Sequence, residues 1–315
     1  MDFPIHDLMN EDACYQFLLD LFHPAGLRCP RCHAAEGFYT QRDFREPVLD
    51  YRCSRCSRVF NAWTGTVFQG THRPPSQLVL ILRGFAQGTS TSQLARELSG
   101  SRRHLLDLRH RLQAQGQAGS DRTALEDKVV EADEMYQNAG EKGVLHQDPE
   151  DPPRRRANKA RGHGTMENDR PPVIGVVGRE SAKVRLDVVE HSDQDTLDDF
   201  VVKMTKPGTL VNTDEWAGYN RLPAKGRGRV AVCHTPGKRE WARDDDGDGV
   251  REVHNNTMEG LWTGLRNYLR PFRGVNKWFL GQYVSMFEWS YNLKEATSDF
   301  LRALLGIKVL INLGP

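Results

Sequence analysis

The chain has 315 residues, 38% of them apolar and 27% charged, with 43 Lys and Arg against 42 Asp and Glu. That composition lies inside the globular range and leaves room for two or three domains with buried cores. No run approaches the roughly 18 to 20 apolar residues needed to cross a bilayer, and no basic start leads into an apolar stretch, so neither a membrane span nor a secretory leader is expected.

The net charge of +1 conceals a segregation. Between positions 51 and 112 ten Arg and no Lys stand against two acids, Glu97 and Asp107, while acid gathers in Asp244, Asp245, Asp246 and Asp248, shortly before Glu259. A basic arm that grips phosphates and an acidic centre that holds cations would divide charge in this way.

In chain order, residues 12–21 form a short amphipathic pattern that predicts a helix ending at His23-Pro24-Ala25-Gly26. Cys29-Pro-Arg-Cys32 and Cys53-Ser-Arg-Cys56 follow, separated by 20 residues, while Cys14 and Cys233 stand alone. Two such pairs in a reducing compartment suit a tetrahedral zinc site better than disulfides, because four soft thiolates match the ion's preference. The intervening segment reads as short strands rather than a thioredoxin-like unit, so residues 27–66 are expected to form a zinc ribbon.

From Pro75 the apolar positions Leu78, Leu82 and Phe85 recur at helical spacing. Two further helical patterns, residues 91–98 and 102–112, are separated by Ser99-Gly100-Ser101 and suggest a helix-turn-helix. The second carries Arg102, Arg103, His104, Arg109 and Arg111 around Leu105, Leu106 and Leu108. It is expected to contact double-stranded DNA, chiefly through phosphates, with a solvated helix as the alternative. Residues 113–127 lose the hydrophobic period and read as a linker.

A new domain is predicted from about residue 128. Its first strand, KVVEADEMY, carries Asp133. The polar stretch 140–172, with Arg154, Arg155, Arg156, Lys159 and Arg161, reads as a mobile insertion, solvated or ordered against DNA. A hairpin (173–178 and 183–189), a helix (193–205), a strand ending at Asp214, another at 229–233 and a helix bearing Glu259 complete the order of an RNase H-like mixed α/β layer. The boundaries read from sequence are 1–70 for the ribbon with its helix, 71–115 for the helix-turn-helix, 116–127 for the linker and 128–315 for the catalytic domain.

Asp133 and Asp214 each close a β-branched run, where a carboxylate emerges at the rim of a sheet. With Glu259 they are expected to hold two magnesium ions, Asp133 bridging both, for phosphodiester chemistry. Trp262 and Arg266 share a helical face with Glu259. Arg266 would reach a phosphate, and Trp262 is read as a core wedge or a DNA contact. Asn256 is read as a helix cap or an oxygen ligand. Asp244, Asp246, Asp248 and Gly249 imitate half of a calcium-binding EF-hand loop, but the twelfth position is Asn255 and flanking helices are not expected. No nucleophile-elbow, phosphate-loop or dinucleotide fingerprint occurs, so no nucleotide cofactor is expected.

With CPRC, CSRC, FNAWTGTVF, EADEMY, NTDEWAGY and HNNTMEGLW in place, the sequence resembles bacterial insertion-sequence transposases of the DDE class, in the ISXO-type subgroup with an N-terminal zinc ribbon. The resemblance spans nearly the whole chain. It implies an RNase H-like domain that cleaves the element's DNA ends and joins the freed 3′ hydroxyl to target DNA, with magnesium or manganese. Asp133, Asp214 and Glu259 then form the metal-binding triad, and Arg266 occupies a place where a Lys is common in the wider class. It also implies recognition of terminal inverted repeats by the ribbon and helix-turn-helix, a homo-oligomer on DNA, and a cytoplasmic protein associated with DNA. The aromatic stretch Trp278, Phe279, Tyr283, Phe287 and Trp289 could supply an interface or core. A domesticated DNA-binding regulator and an RNase H-like nuclease without strand transfer are the alternatives.

Overall fold

The computed structural model describes residues 10–142, 162–293 and 297–307, in a chain that divides into two compact units, Met1–Ser120 with Leu293–Pro315, and Asp121–Asn292. The basic cluster from Arg154 to Arg161 lies outside the described residues.

In the first unit, α1 (Glu11–Phe22) starts where Asn10 accepts a hydrogen bond from the Ala13 amide at 3.1 Å. Its Phe22 meets Trp63 and Phe68 edge to face, closing a small aromatic core. The antiparallel strands β1 (Phe38–Arg42), β2 (Asp50–Cys53) and β3 (Val59–Phe60) follow in the order β1-β2-β3. The next helix, α2 (Pro75–Ala86), has no cap of its own, and the Glu11 carboxylate accepts from the Ser76 amide at 3.0 Å instead.

Two helices then form the expected helical pair. Ser90 caps α3 (Thr91–Glu97), and Ser101 caps α4 (Arg102–Ala118). The second runs six residues past 112, into the segment read as linker, because Leu112, Gln113 and Gly116 are buried rather than solvated.

The second unit is a five-stranded sheet in the order β6-β5-β4-β7-β8, built from β4 (Val129–Tyr136), β5 (Pro172–Gly178), β6 (Val184–Val188), β7 (Leu210–Thr213) and β8 (Gly228–Ala231). The pairs β4–β5 and β5–β6 are antiparallel, and β7 and β8 run parallel to β4. Between β6 and β7 lies α5 (Gln194–Met204). After a short ribbon of β9 (Ala242–Arg243) and β10 (Val253–His254) come α6 (Asn256–Leu269) and α7 (Leu280–Leu293). This is the RNase H-like mixed α/β layer.

Alternation along β4 divides the core. Val130 and Ala132 pack with Leu197, Phe200 and Val201 of α5, whereas Met135 joins Met258, Trp262 and Leu265 of α6 on the opposite face. Residues 121–127 are bound to this unit. Asp121 pairs with buried Arg185, Leu125 is in the core, and Asp127 accepts from the Glu180 and Ser181 amides at 2.8 Å each.

The last helix, α8 (Ser298–Leu304), belongs to the first unit, although the sequence assigned it to the catalytic domain. It packs on α4, where a Cβ at Gly119 would lie 3.2 Å from that of Ala303. The apolar residues Phe300, Leu301 and Leu304 are its buried face.

Candidate active site and metal-binding cysteines

Strand register brings the two aspartates together. On parallel β4 and β7, Glu131 lies opposite Asn212, so both strands lead toward the same rim, where Asp133 feels the charge of Asp214, which directly follows β7. Across the other edge of β4, Asp133 faces Gly175 of β5. A Cβ there would crowd Leu186 at 2.6 Å, Met258 at 2.9 Å and the Trp262 ring at 3.0 Å. The missing side chain lets the indole lie against the strand, and its Nε1–H donates to Asp133 Oδ2 at 2.8 Å.

Three acids crowd this rim. Burial, followed by the charges of Glu134 and Asp214, raises the Asp133 carboxyl well above the usual carboxylate range, against the hydrogen bond from Trp262. Burial likewise raises Asp214, against the Trp216 amide that donates to it at 2.9 Å. Glu134 is pushed up to about 7 by burial, although it accepts from Tyr219 Oη at 2.7 Å. His234 and Arg229 offset part of this charge at Asp214, and the concentration of acids at the rim is the electrostatic condition that favours a divalent metal.

Glu259 approaches from α6 and is partly exposed, with His234 Nδ1 at 3.6 Å from its Oε1. His234 also lowers the carboxyl of Asp214 electrostatically, so it stands between the two acids. Among the described residues, Asp133, Asp214 and Glu259 are not a cluster whose ligand atoms all lie within 4.8 Å of one another. A two-ion site does not require that. Ions roughly 3.5 to 4 Å apart, each about 2.1 Å from its outer ligand, separate the outer oxygens by up to about 8 Å.

The helix carrying Glu259 is held by a residue that sequence reasoning missed. Glu131 is fully buried on the same face of β4 as Asp133. It accepts from the Thr257 amide at 2.8 Å, the Met258 amide at 3.1 Å and Thr257 Oγ1 at 2.8 Å, and it pairs with Arg179 at 3.0 Å. It therefore does the capping expected of Asn256, which is instead exposed and the first residue of the helix. The signal was present as a third acid in KVVEADEMY, two residues before Asp133.

Other expected contacts change character. Trp262 is 3% exposed, so it is the core wedge and the partner of Asp133, not a DNA contact. Arg109 is fully buried in the first unit. It donates to Thr91 Oγ1 at 2.9 Å and to the Thr89 carbonyl, with its guanidinium 4.1 Å from the Phe85 ring centroid. It is therefore withdrawn as a phosphate contact, whereas Arg102, Arg103, His104 and Arg111 are exposed on α4. Arg266 is exposed on α6, two turns beyond Glu259. Of the aromatic stretch, Tyr283, Phe287 and Trp289 are buried and Trp278 is exposed. In the acidic loop, Asp244, Asp246 and Glu252 converge within 4.8 Å, while Asn255 turns away to donate to the Ala132 carbonyl at 3.3 Å.

In the first unit Cys29, Cys32, Cys53 and Cys56 converge, with Cys29 Sγ 3.5 Å from Cys56 Sγ and Cys32 Sγ 3.6 Å from Cys53 Sγ. A tetrahedral zinc with bonds of about 2.3 Å has sulfur–sulfur edges of about 3.8 Å, so these thiols fit the ion. Burial alone would raise the Cys29 thiol. The amides of Cys32 and Arg31 and the neighbouring sulfurs outweigh it and bring the thiol down to about 6, toward the thiolate a metal needs. Phe38, Tyr51 and Phe60 pack around the cluster.

Residues 124–292 match the family described as ISXO2-like transposase domain, and residues 9–59 match the transposase zinc-ribbon domain. A Halobacterium salinarum protein, described as an uncharacterized protein in transposable element ISH50, is 28% identical over 290 residues, covering 90% of this chain and 92% of its own length. Among solved structures, a simian T-cell lymphotropic virus intasome in complex with PP2A regulatory subunit B56 gamma gives a TM-score of 0.31 at 10% identity, over 67% of each chain. The Mos1 transposase paired-end complex with left transposon end gives 0.24 at 10% identity, over 71% of this chain and 79% of that one. Overlaps this loose add no weight to the family matches.

Proposed function

Because this chain belongs to the ISXO2-like transposase family and is a DDE transposase with a structural zinc ribbon, we propose that Asp133, Asp214 and Glu259 are the acids at which it cuts and joins DNA strands. The divalent metal that such an enzyme requires would be a pair of magnesium ions, with manganese as a substitute. Held by these three carboxylates, the pair would supply the activated water or hydroxyl and the charge to stabilise the leaving oxygen.

The chain's own residues divide the work. Asp133, the deepest of the three, would hold the metal from the sheet, and the Trp262 indole fixes which way its carboxylate points. Asp214 is oriented by the Trp216 amide. Glu259 is set by the seat of α6 on Glu131. Arg266, exposed two turns on, is available to a DNA phosphate. Exposed Arg102, Arg103, His104 and Arg111, with the ribbon, would grip the element's terminal repeats, and two ends would be held by a homo-oligomer.

The observation that supports this reading most is the closeness of Asp133 and Asp214, whose charge is felt at Asp133, with Asp133 bonded through Trp262 to the helix that also bears Glu259. The test is Asp133→Asn, which keeps shape and removes charge. It is expected to abolish magnesium- or manganese-dependent nicking and strand joining at the element's ends while binding persists. Cleavage retained by this variant refutes the assignment.

A further inference from the structure

Two residues beyond Asp214, the Trp216 side chain stands 36% exposed rather than buried. Its backbone is fixed. The amide donates to Asp214 Oδ1 at 2.9 Å, and the carbonyl accepts from Arg229 at 2.9 Å. The indole sits over Gly218, where a Cβ would run into its ring nitrogen. Its ring is paired with the His163 imidazole, centroids 4.3 Å apart and planes 33° apart. His163 in turn shares a hydrogen bond of 2.5 Å with Tyr136 Oη, which also bonds Ser192 Oγ at 2.9 Å.

The stack borders a shallow cavity of about 350 Å³. Besides the two rings, Thr165, Asn168, His191 and Ser192 line it with donors and acceptors, and so does Asp193, whose carboxylate is engaged as the cap of α5 by Thr196. The volume is at the lower end of small-ligand pockets, about 300 to 1,000 Å³. A rigid π-face beside polar groups matches a nucleobase, whose flat face stacks on aromatics and whose edge hydrogen-bonds. A paired base inside a duplex has both faces covered and offers only its groove edges.

Resting on the catalytic assignment above, we infer that Trp216, backed by His163, is a stacking platform for one unpaired base of the strand being cut beside Asp214. Such stacking holds the strand open at the rim, so that its backbone passes the carboxylates in one register. A similar pair, His234 with Trp241 at 4.7 Å, has its imidazole 3.6 Å from Glu259 and is not part of the surface that Trp216 and His163 share.

The test uses the full chain with a duplex carrying a bulge of unpaired thymines and the same duplex fully paired, read by fluorescence anisotropy. Wild type should prefer the bulge. Trp216→Ala should bind it about 5- to 150-fold more weakly, the range expected for loss of one base–aromatic stack, and should bind paired DNA unchanged. Trp216→Phe should keep most of the preference, His163→Ala should reduce it, and Trp241→Ala should leave it intact. The inference is overturned if wild type shows no preference, if Trp216→Ala keeps it, or if Trp241→Ala abolishes it instead. Equal weakening on both DNAs by Trp216→Ala and His163→Ala marks the stack as a structural clasp and also overturns it. Asp133→Asn should lose nicking yet keep the bulge preference, so failure of the catalytic assignment reads out separately from failure of the platform.

Discussion

Replacing Glu131 by Ala should unseat α6 without touching any of the three proposed catalytic acids. The side chain is fully buried and meets two helix amides, the Thr257 hydroxyl, Arg179 at 3.0 Å and His254 Nδ1 at 3.2 Å. Its removal leaves Arg179 without its carboxylate in a site where that side chain is only 19% exposed. Breaking a buried pair in this way costs about 3 to 5 kcal/mol, a figure that overlaps with the loss of a carboxylate at a helix N-terminus and is not added to it. For a unit of this size, about 2 to 4 °C per kcal/mol places the shift of its melting transition at roughly 6 to 20 °C. Scanning calorimetry of the full chain reads the shift. A double-mutant cycle with Arg179→Ala should show the second substitution costing much less once the first is made. Nicking at a temperature where the variant is folded should fall at least about tenfold, because Glu259 lies within the first turn of that helix. A loss below about 1 kcal/mol, or strict additivity in the cycle, would refute the claim that Glu131 seats the helix.

Removing zinc with a chelator, or substituting Cys29→Ser, should unfold the ribbon and abolish binding to the element's ends, with metal analysis showing one zinc lost per chain; the second unit should keep its melting transition. Arg109→Ala should destabilise the first unit by about 2 to 5 kcal/mol in urea titrations and leave the salt dependence of DNA binding unchanged. Arg111→Ala should do the reverse, lowering the salt slope by about 1 with stability held within about 0.5 kcal/mol. Burial pushes Glu288 up to about 7, against Arg122 and the Leu186 amide. The folded state therefore holds its proton more tightly than the unfolded chain, so stability is greatest below the unfolded value near 4.5 and declines as pH rises through about 7. Glu288→Gln, which mimics the protonated acid, should stabilise the second unit by up to about 3 kcal/mol at pH 8 and by little at pH 4, measured by denaturant titration at both values.

The sheet and its two aspartates were legible because a β-branched run followed by an acid is a local pattern, and β4 and β7 carry it. The role of each acid was not. Alternation puts Glu131 and Asp133 on one face, but which of them caps a helix depends on Thr257 and Met258, more than 120 residues away. Arg109 follows the same rule. A cationic helix looks alike at each of its arginines until Phe85 and Thr91 from the preceding helices enclose one of them. The apolar residues of α8 mark it as a helix with a face to bury, but its partner α4 was not legible, since nothing local states which apolar face it meets. The stack of His163 on Trp216 was not legible for that reason too, the two being 53 positions apart.

Gly175 shows how little separates an ordinary strand from this rim. A larger residue opposite Asp133 would meet Leu186, Met258 and the indole at 3.0 Å or less, and so press on the ring that bonds the carboxylate. The absence of one methyl group on β5 thereby limits how β5 can vary: a change there would press on Leu186 and Met258 in the core and on the indole that orients Asp133.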